Sequence, residues 1–296
     1  MKIAVLGSSG QLGTDVCGAF IQNGDQVSAL NHSEIELASA SSVDAALSAA
    51  DPAFIVNTAA MHHVEKCEAD PMAAFAANTI GAKNVAEWAK RAGAVVAYIS
   101  TDYVFNGKKE SPYVEADPPA PLNAYGITKL AGEHYTAAIS ARHFVLRVSA
   151  IYGLHPCRAK GGLNFVELML KLARERDRLR VVDDEFVTPT PTEQIAKQLV
   201  ALSRSNDYGL YHGTAEGSCS WYEFAREIFR ATGTTVHLEK AAPGEFPAKV
   251  QRPKYSVLEN CALKAAGLNV FTDWRQGLEN YLHARAECHA SSSVVV

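Results

Sequence analysis

Through the first half of this chain, short apolar runs alternate with helical stripes, and that rhythm constrains the fold more than any other feature. Residues 3–6 are an apolar run closed by Gly7 and read as a buried strand. Residues 11–23 follow with Leu12, Val16, Ala19 and Phe20 on one stripe and Gly24 beyond the end. Residues 26–30, 54–56, 95–99 and 144–148 repeat the strand pattern. Between them, residues 41–50 read as a helix capped by Ser41 or Ser42, 71–92 as a long helix ending before Gly93, and 125–138 as a third. Short strands alternating with longer helices predict βαβ units, right-handed crossovers and an α/β, Rossmann-like, doubly wound parallel sheet.

The rhythm changes after about residue 150. Helices are expected at 164–176, 193–203 and 220–231, and strands at 179–182 and 209–212. A Pro/Thr segment, 188–192, lies between them. The chain therefore divides into a dinucleotide-binding Rossmann domain over 1–150 and a smaller substrate-binding lobe over most of 151–290. Some segments of that lobe return to the sheet, and 291–296 read as a frayed tail. A substrate cleft is expected between the two, beyond the carboxyl ends of the strands.

Between the first strand and helix stands Gly7-Ser8-Ser9-Gly10-Gln11-Leu12-Gly13. Gly7 permits a tight turn, Gly10 close approach of a pyrophosphate, and Gly13 close packing of helix on sheet. Phosphates would sit on the unpaired N–H groups of the helix start, so Gly7, Ser9, Gly10, Gln11, Leu12 and Gly13 are expected at the cofactor. The second strand ends in Leu30-Asn31-His32-Ser33. No carboxylate is apparent there to repel a 2′-phosphate and no arginine to grip one. The expected cofactor is NADPH, with NADH tolerated, and Asn31 beside its ribose.

Tyr125 and Lys129 are four apart on a predicted helix and share one face. A ketone reduction needs a proton as well as a hydride, and a nearby ammonium lowers the pKa of a phenol toward use. Thr101 ends the fourth strand and can hydrogen-bond a substrate carbonyl beside the tyrosine.

These pieces together resemble the extended short-chain dehydrogenase/reductases, whose glycine spacing is typically GxxGxxG. Within them the chain resembles the dTDP-4-dehydrorhamnose reductase family. The carrying motifs are GSSGQLG at 7–13, ISTDYVFNG at 99–107 and YGITKLAGE at 125–133, supported by VNTAA at 56–60, SWYEFA at 220–225 and RPKYSVL at 252–258. The resemblance implies NADPH-dependent reduction of a 4-keto-6-deoxyhexose on a nucleoside diphosphate, with Thr101, Tyr125 and Lys129 catalytic. It implies that Asn57, Ala59, Ala60 and Asn78 line or support the cofactor, and that Asp102, Tyr103, Asn164 and Arg252 face the nucleotide-sugar. For Asn164 an N-cap is the competing reading, and for Arg252 a surface ion pair.

Two departures stand out. Ala150 replaces a tryptophan that commonly packs on the sugar, which removes a stacking surface. Met61-His62-His63 precedes Val64-Glu65 where the family has a different loop; both histidines could touch substrate or be polar loop residues. Some relatives hold magnesium at a dimer interface near the places of Asp15 and Glu193, but no metal is assigned here, and a homodimer is left open. Alternatives are another nucleotide-sugar reductase or epimerase, and a non-catalytic NADP-binding regulator resembling that of methionine adenosyltransferase.

Composition adds limits. The net charge of −4 gives no basic field for nucleic acid or anionic membrane. No run approaches the roughly 20 apolar residues of a membrane helix, and the N-terminal apolar run is too short for an export signal. Six cysteines show no metal-ligand spacing and read as reduced thiols, so a cytoplasmic protein is expected.

Overall fold

A computed structural model describes residues 1–157, 161–242 and 244–293. Its first half runs β1 (Lys2–Leu6), α1 (Gln11–Gln22), β2 (Gln26–Leu30), α2 (Ala40–Ala50), β3 (Phe54–Asn57), α3 (Val64–Ala69), α4 (Pro71–Phe75), α5 (Gly81–Ala92), β4 (Val95–Thr101), α6 (Ala124–Ile139) and β5 (His143–Val148). It continues with β6 (Ile151–Tyr152), α7 (Phe165–Glu175), β7 (Arg178–Val181), β8 (Phe186–Val187), β9 (Thr190–Pro191), α8 (Thr192–Leu202), β10 (Gly209–His212), β11 (Cys219–Ser220), α9 (Trp221–Thr232), β12 (His237–Lys240), α10 (Cys261–Ala265) and α11 (Trp274–Ser293).

Six strands pair in parallel in the order β10-β5-β4-β3-β1-β2. β3 and β4 are buried along their whole length, as the apolar runs 54–56 and 95–99 require, and each strand ends in buried polar residues. One face packs Val5, Val56 and Leu146 against Val16 and Phe20 of α1 and Ile195 and Leu199 of α8. The other packs Ala4, Ile55 and Val96 against Leu47 of α2 and Val85 and Trp88 of α5. The chain turns one way from β1 to β2 and the other way to β3. The switch point, where such sheets bind ligands, therefore lies between β1 and β3.

β10 joins this sheet beside β5, so the second half does return to it. The rest of that half has its own core, in which Tyr152, Val166, Phe224, Ile228, Trp274 and Leu278 meet. Ser220 starts α9 with a reciprocal capping box to Glu223.

Several local expectations are corrected. α2 is capped by Ser39, whose hydroxyl accepts the Ser42 N–H, while the Ser42 hydroxyl takes the Glu36 N–H at 2.9 Å. The long helix expected at 71–92 is broken by a π-helical turn, Ala76–Ile80, between α4 and α5. The tail expected to fray from 291 is helical to Ser293, and 294–296 lie outside the described residues. Among the described residues no helix is long and apolar enough to cross a membrane, and no disulfide joins the cysteines.

One charged pair lies wholly inside the sheet–helix interface. Arg147 in β5, 3% exposed, donates Nε to Glu133 Oε1 at 2.9 Å and Nη2 to Oε2 at 2.7 Å. Ser100 of β4 donates to the same carboxylate. Arg147→Met, which strands Glu133, should cost about 3–5 kcal/mol in urea unfolding; a loss under about 1 kcal/mol would mean that water reaches the carboxylate.

Candidate active site

The turn after β1 is built for an anion. Gly7 has φ +78, a conformation that L side chains rarely adopt, and a Cβ there would lie 2.9 Å from the Ala59 backbone. A Cβ on Gly13 would run into the Gly7 carbonyl. α1 starts at Gly10 with no side-chain cap and no acidic residue in its first turn. Its N-terminal N–H groups thus remain for a ligand, which fits the pyrophosphate of a dinucleotide. Ser9 is exposed on the rim, and Ala59 and Ala60 lie half-buried beyond β3.

Four expected cofactor residues do different work with their side chains. Gln11 donates to the carbonyls of Gly153 at 3.3 Å and His155 at 2.9 Å, and so ties the glycine loop to the second lobe. Leu12 packs into the sheet core. Asn57, buried at the end of β3, accepts the Ala59 N–H at 3.2 Å. Asn78, 1% exposed, accepts the Met61 N–H and donates to Met61 O and Thr128 Oγ1 at 3.0 Å each. It braces the site from behind rather than facing a ligand.

At the end of β2, Asn31 Oδ1 accepts both the N–H and the hydroxyl of Ser33. The sequence suggested no carboxylate here, but the turn folds Glu34 back so that its Oε2 accepts the Asn31 N–H at 2.8 Å. The signal was the spacing Asn31-x-x-Glu34, which closes one tight turn.

The three residues expected to be catalytic come together. β4 brings Thr101 to its carboxyl end, and Asn123 caps α6 by accepting the Gly126 N–H at 2.9 Å. Glu68 accepts the Ala124 N–H at 2.9 Å, which anchors the same helix start. Tyr125 is hydrogen-bonded to Thr101. Lys129, 2% exposed, donates Nζ to Ile99 O at 2.6 Å and stands 3.9 Å from the centre of the Tyr98 ring. Burial pushes Lys129 down to about 7, against the pull of Glu133. Tyr125, contrary to expectation, is raised: burial dominates, the Asp102 carboxylate and Tyr103 add to it, and the Thr101 bond only partly offsets them. The resting tyrosine is therefore a firmly protonated acid.

The expected substrate contacts divide. Tyr103 is half-buried and meets Tyr125 edge to face at 5.7 Å. Arg252 pairs with Glu65, and its Nε has no partner among the described residues. Ala150 is half-buried in a left-handed turn, φ 44, which is uncommon for a residue with a Cβ. Asp102 does not face a cleft. It is 5% exposed and accepts from Thr101 at 3.0 Å, from Ser149 at 3.0 Å and from Ser256, because an unpaired buried carboxylate would be costly. Asn164 takes the N-cap reading: it accepts the Glu167 N–H and donates to Gly153 O and the Tyr281 hydroxyl. His62 is exposed, with Nε2 3.8 Å from Cys157 Sγ. Asp15 and Glu193 border a separate groove of about 620 Å³ between α1 and α8, which includes none of the three central residues.

Sequence reasoning missed Glu133–Arg147–Ser100 and Asp102–Ser149–Ser256. An arginine within the otherwise apolar run 144–148 was the available sign of the first. Nothing in the sequence linked residue 256 to residue 102.

The family model described as the RmlD substrate binding domain matches residues 1–286. The spore coat polysaccharide biosynthesis protein SpsK of Bacillus subtilis is 39% identical, over 96% of this chain and 98% of that protein. A dTDP-4-dehydrorhamnose reductase structure from Clostridium acetobutylicum superposes with a TM-score of 0.91 at 36% identity, covering 96% of this chain and 99% of that one. One from Bacillus anthracis, in complex with NADP, gives 0.90 at 33% identity, covering 96% and 100%. The chain belongs to the dTDP-4-dehydrorhamnose reductase family of NAD(P)H-dependent oxidoreductases.

Proposed function

We propose that this protein uses NADPH to reduce the 4-keto group of a nucleotide-linked 6-deoxyhexose, converting dTDP-4-dehydrorhamnose to dTDP-L-rhamnose. The observation that carries this reading is the meeting of Thr101, Tyr125 and Lys129 beside an uncapped glycine-loop helix start, in a chain of this family. The NADP-bound relative supports the choice of cofactor. Gly7, Gly10 and Gly13 would admit its pyrophosphate, and Asn31 lies toward its ribose. When bound, the cofactor supplies the hydride.

The protein's own part is acid catalysis and placement. Tyr125, held neutral by burial, points its hydroxyl at the keto oxygen with Thr101 beside it. As the carbonyl carbon gains hydrogen, the Tyr125 proton passes to the oxygen, so C=O becomes CH–OH and a phenolate remains. Lys129 as an ammonium stabilises that phenolate. Tyr103 and Arg252 form the nearby wall on which the nucleotide-sugar rests.

Ala150 supports a second reading within the same chemistry. A methyl group replaces the indole common in the family, so a differently shaped 4-keto sugar fits the space. Consumption of NADPH with dTDP-4-dehydrorhamnose decides between the two. Turnover establishes the first; turnover only with other nucleotide-linked 4-keto sugars establishes the second.

Tyr125→Phe should lower kcat about 10²–10⁴-fold while the Kd for NADPH stays unchanged; undiminished turnover would remove the tyrosine from the chemistry. The pH profile of kcat/KM should fall on its alkaline side with an apparent pKa near 7. Below that value Lys129 carries the charge that stabilises the phenolate, and above it the charge is lost. A flat profile through that range would show that Lys129 stays protonated or plays no electrostatic part.

A further inference from the structure

Lys129 enters a nearly closed chamber, and Tyr98 forms its floor. Tyr98 lies in β4, 1% exposed, packed against Ala82 and Val145. The Lys129 ammonium sits 3.9 Å from the ring centre while one N–H goes to Ile99 O. The Tyr98 hydroxyl donates to Asn78 O at 3.0 Å. Asn78 belongs to the π-helical turn, where the ordinary helical bonding pattern is interrupted, and such turns often occur at functional sites. Gly132, one turn beyond Lys129 in α6, leaves room for this contact: a Cβ there would overlap the Tyr98 hydroxyl and come within 2.6 Å of Asn78 O. Three elements thus converge on one aromatic ring, and the ring carries the ammonium.

We propose that Tyr98 is a positioning residue for the reaction: its π-face seats the Lys129 ammonium. This rests on the catalytic reading of Lys129. The physical reason is charge. An ammonium removed from water needs replacement partners, and a single carbonyl supplies one of three. The negative face of the ring supplies another without competing for the phenolate. Glu133 on the same helix is the remaining charge acting on Lys129, and its carboxylate is already held by Arg147 and Ser100. Tyr125 stands four residues before it on α6. From the π-helical turn and α5 the neighbours are Asn78, Thr79 and Ala82, none of them ionisable.

The test varies the ring's charge at nearly constant shape. Tyr98→Phe, then mono-, di- and trifluorophenylalanine at the same position, progressively weaken the negative face. Lys129 is followed by nitrogen NMR of labelled lysine in the full-length protein, and turnover is measured beside it. Tyr98→Phe should keep kcat within about threefold. The fluorinated series should lower the Lys129 pKa stepwise, about tenfold in proton affinity overall, with kcat falling in parallel, KM little changed and the melting temperature steady. A Lys129 pKa that is constant across the series overturns the proposal, as does a Phe variant as poor as Tyr98→Leu. The NMR trend across the series, beside wild-type protein that reduces no keto sugar, would refute the reductase reading and leave the seat standing.

Discussion

The buried pair between Arg147 and Glu133 is the contact on which the rest of the reactive face depends. It joins β5 to α6, and Ser100 adds β4 to the same carboxylate. Buried ion pairs contribute little net stability, since desolvation offsets much of their attraction. Their value is geometric: a bidentate guanidinium–carboxylate contact accepts few arrangements. Thr101 follows Ser100, and Tyr125 and Lys129 lie two turns and one turn before Glu133. Fixing Ser100 to Glu133 therefore fixes the strand's hydroxyl against the helix's phenol and amine. The outer face of Arg147 rests on Phe105 at 5.1 Å. His212 lies beside it from β10, and burial, then Arg147, hold that imidazole down to about 3. Its Nδ1 contacts the carbonyls of Tyr113 and Glu259, which assigns the proton to Nδ1 and leaves Nε2 an acceptor. A neutral histidine is the one form that can sit next to this arginine without repulsion.

The two halves of the chain are joined at the site by polar contacts more than by apolar ones. Gln11 reaches from the glycine loop to Gly153 and His155. Asn123 donates to Gln251 O at 2.9 Å while it caps α6. Asp102 gathers Ser149 from the end of β5 and Ser256 from the second half. Ala150 turns the chain between these anchors, and its left-handed backbone costs about 1–3 kcal/mol that the surrounding hydrogen bonds offset. Directional bonds of this kind set relative position to within an ångström or so, which apolar packing alone does less well.

How much of this was legible in the sequence depended on whether the physics was local. The sheet was readable because strand and helix periodicities need only a few neighbours, and strand two was placed at 26–30, where the structure has it. The glycine loop was readable because turn, approach and packing all act within seven residues. Thr101, Tyr125 and Lys129 were readable through motif and order. The π-helical turn was not. Residues 71–92 carry an unbroken helical pattern, and the interruption comes from Tyr98 and Met61, which are distant in sequence. Asp102 was misplaced for the same reason. Its neighbour Tyr103 is half-buried, and only the positions of Ser149 and Ser256 explain why the carboxylate turns inward. The C-terminal helix was missed because its charged and small residues give almost no amphipathic stripe.

Counting protons at Thr101 gives Asp102 its place in the proposed chemistry. Thr101 has one hydroxyl proton, and in the resting site it goes to Asp102 at 3.0 Å, while the oxygen accepts the Tyr103 N–H at 3.2 Å. In the proposed reduction the keto oxygen draws the Tyr125 proton to itself. The phenolate left behind is an acceptor, so Thr101 must swing its own proton from Asp102 to Tyr125. Asp102 can release it because Ser149 and Ser256 still donate to the carboxylate. A carboxylate with one donor would hold Thr101 too firmly for that exchange. Three hydroxyl donors make the threonine's proton the one that can leave.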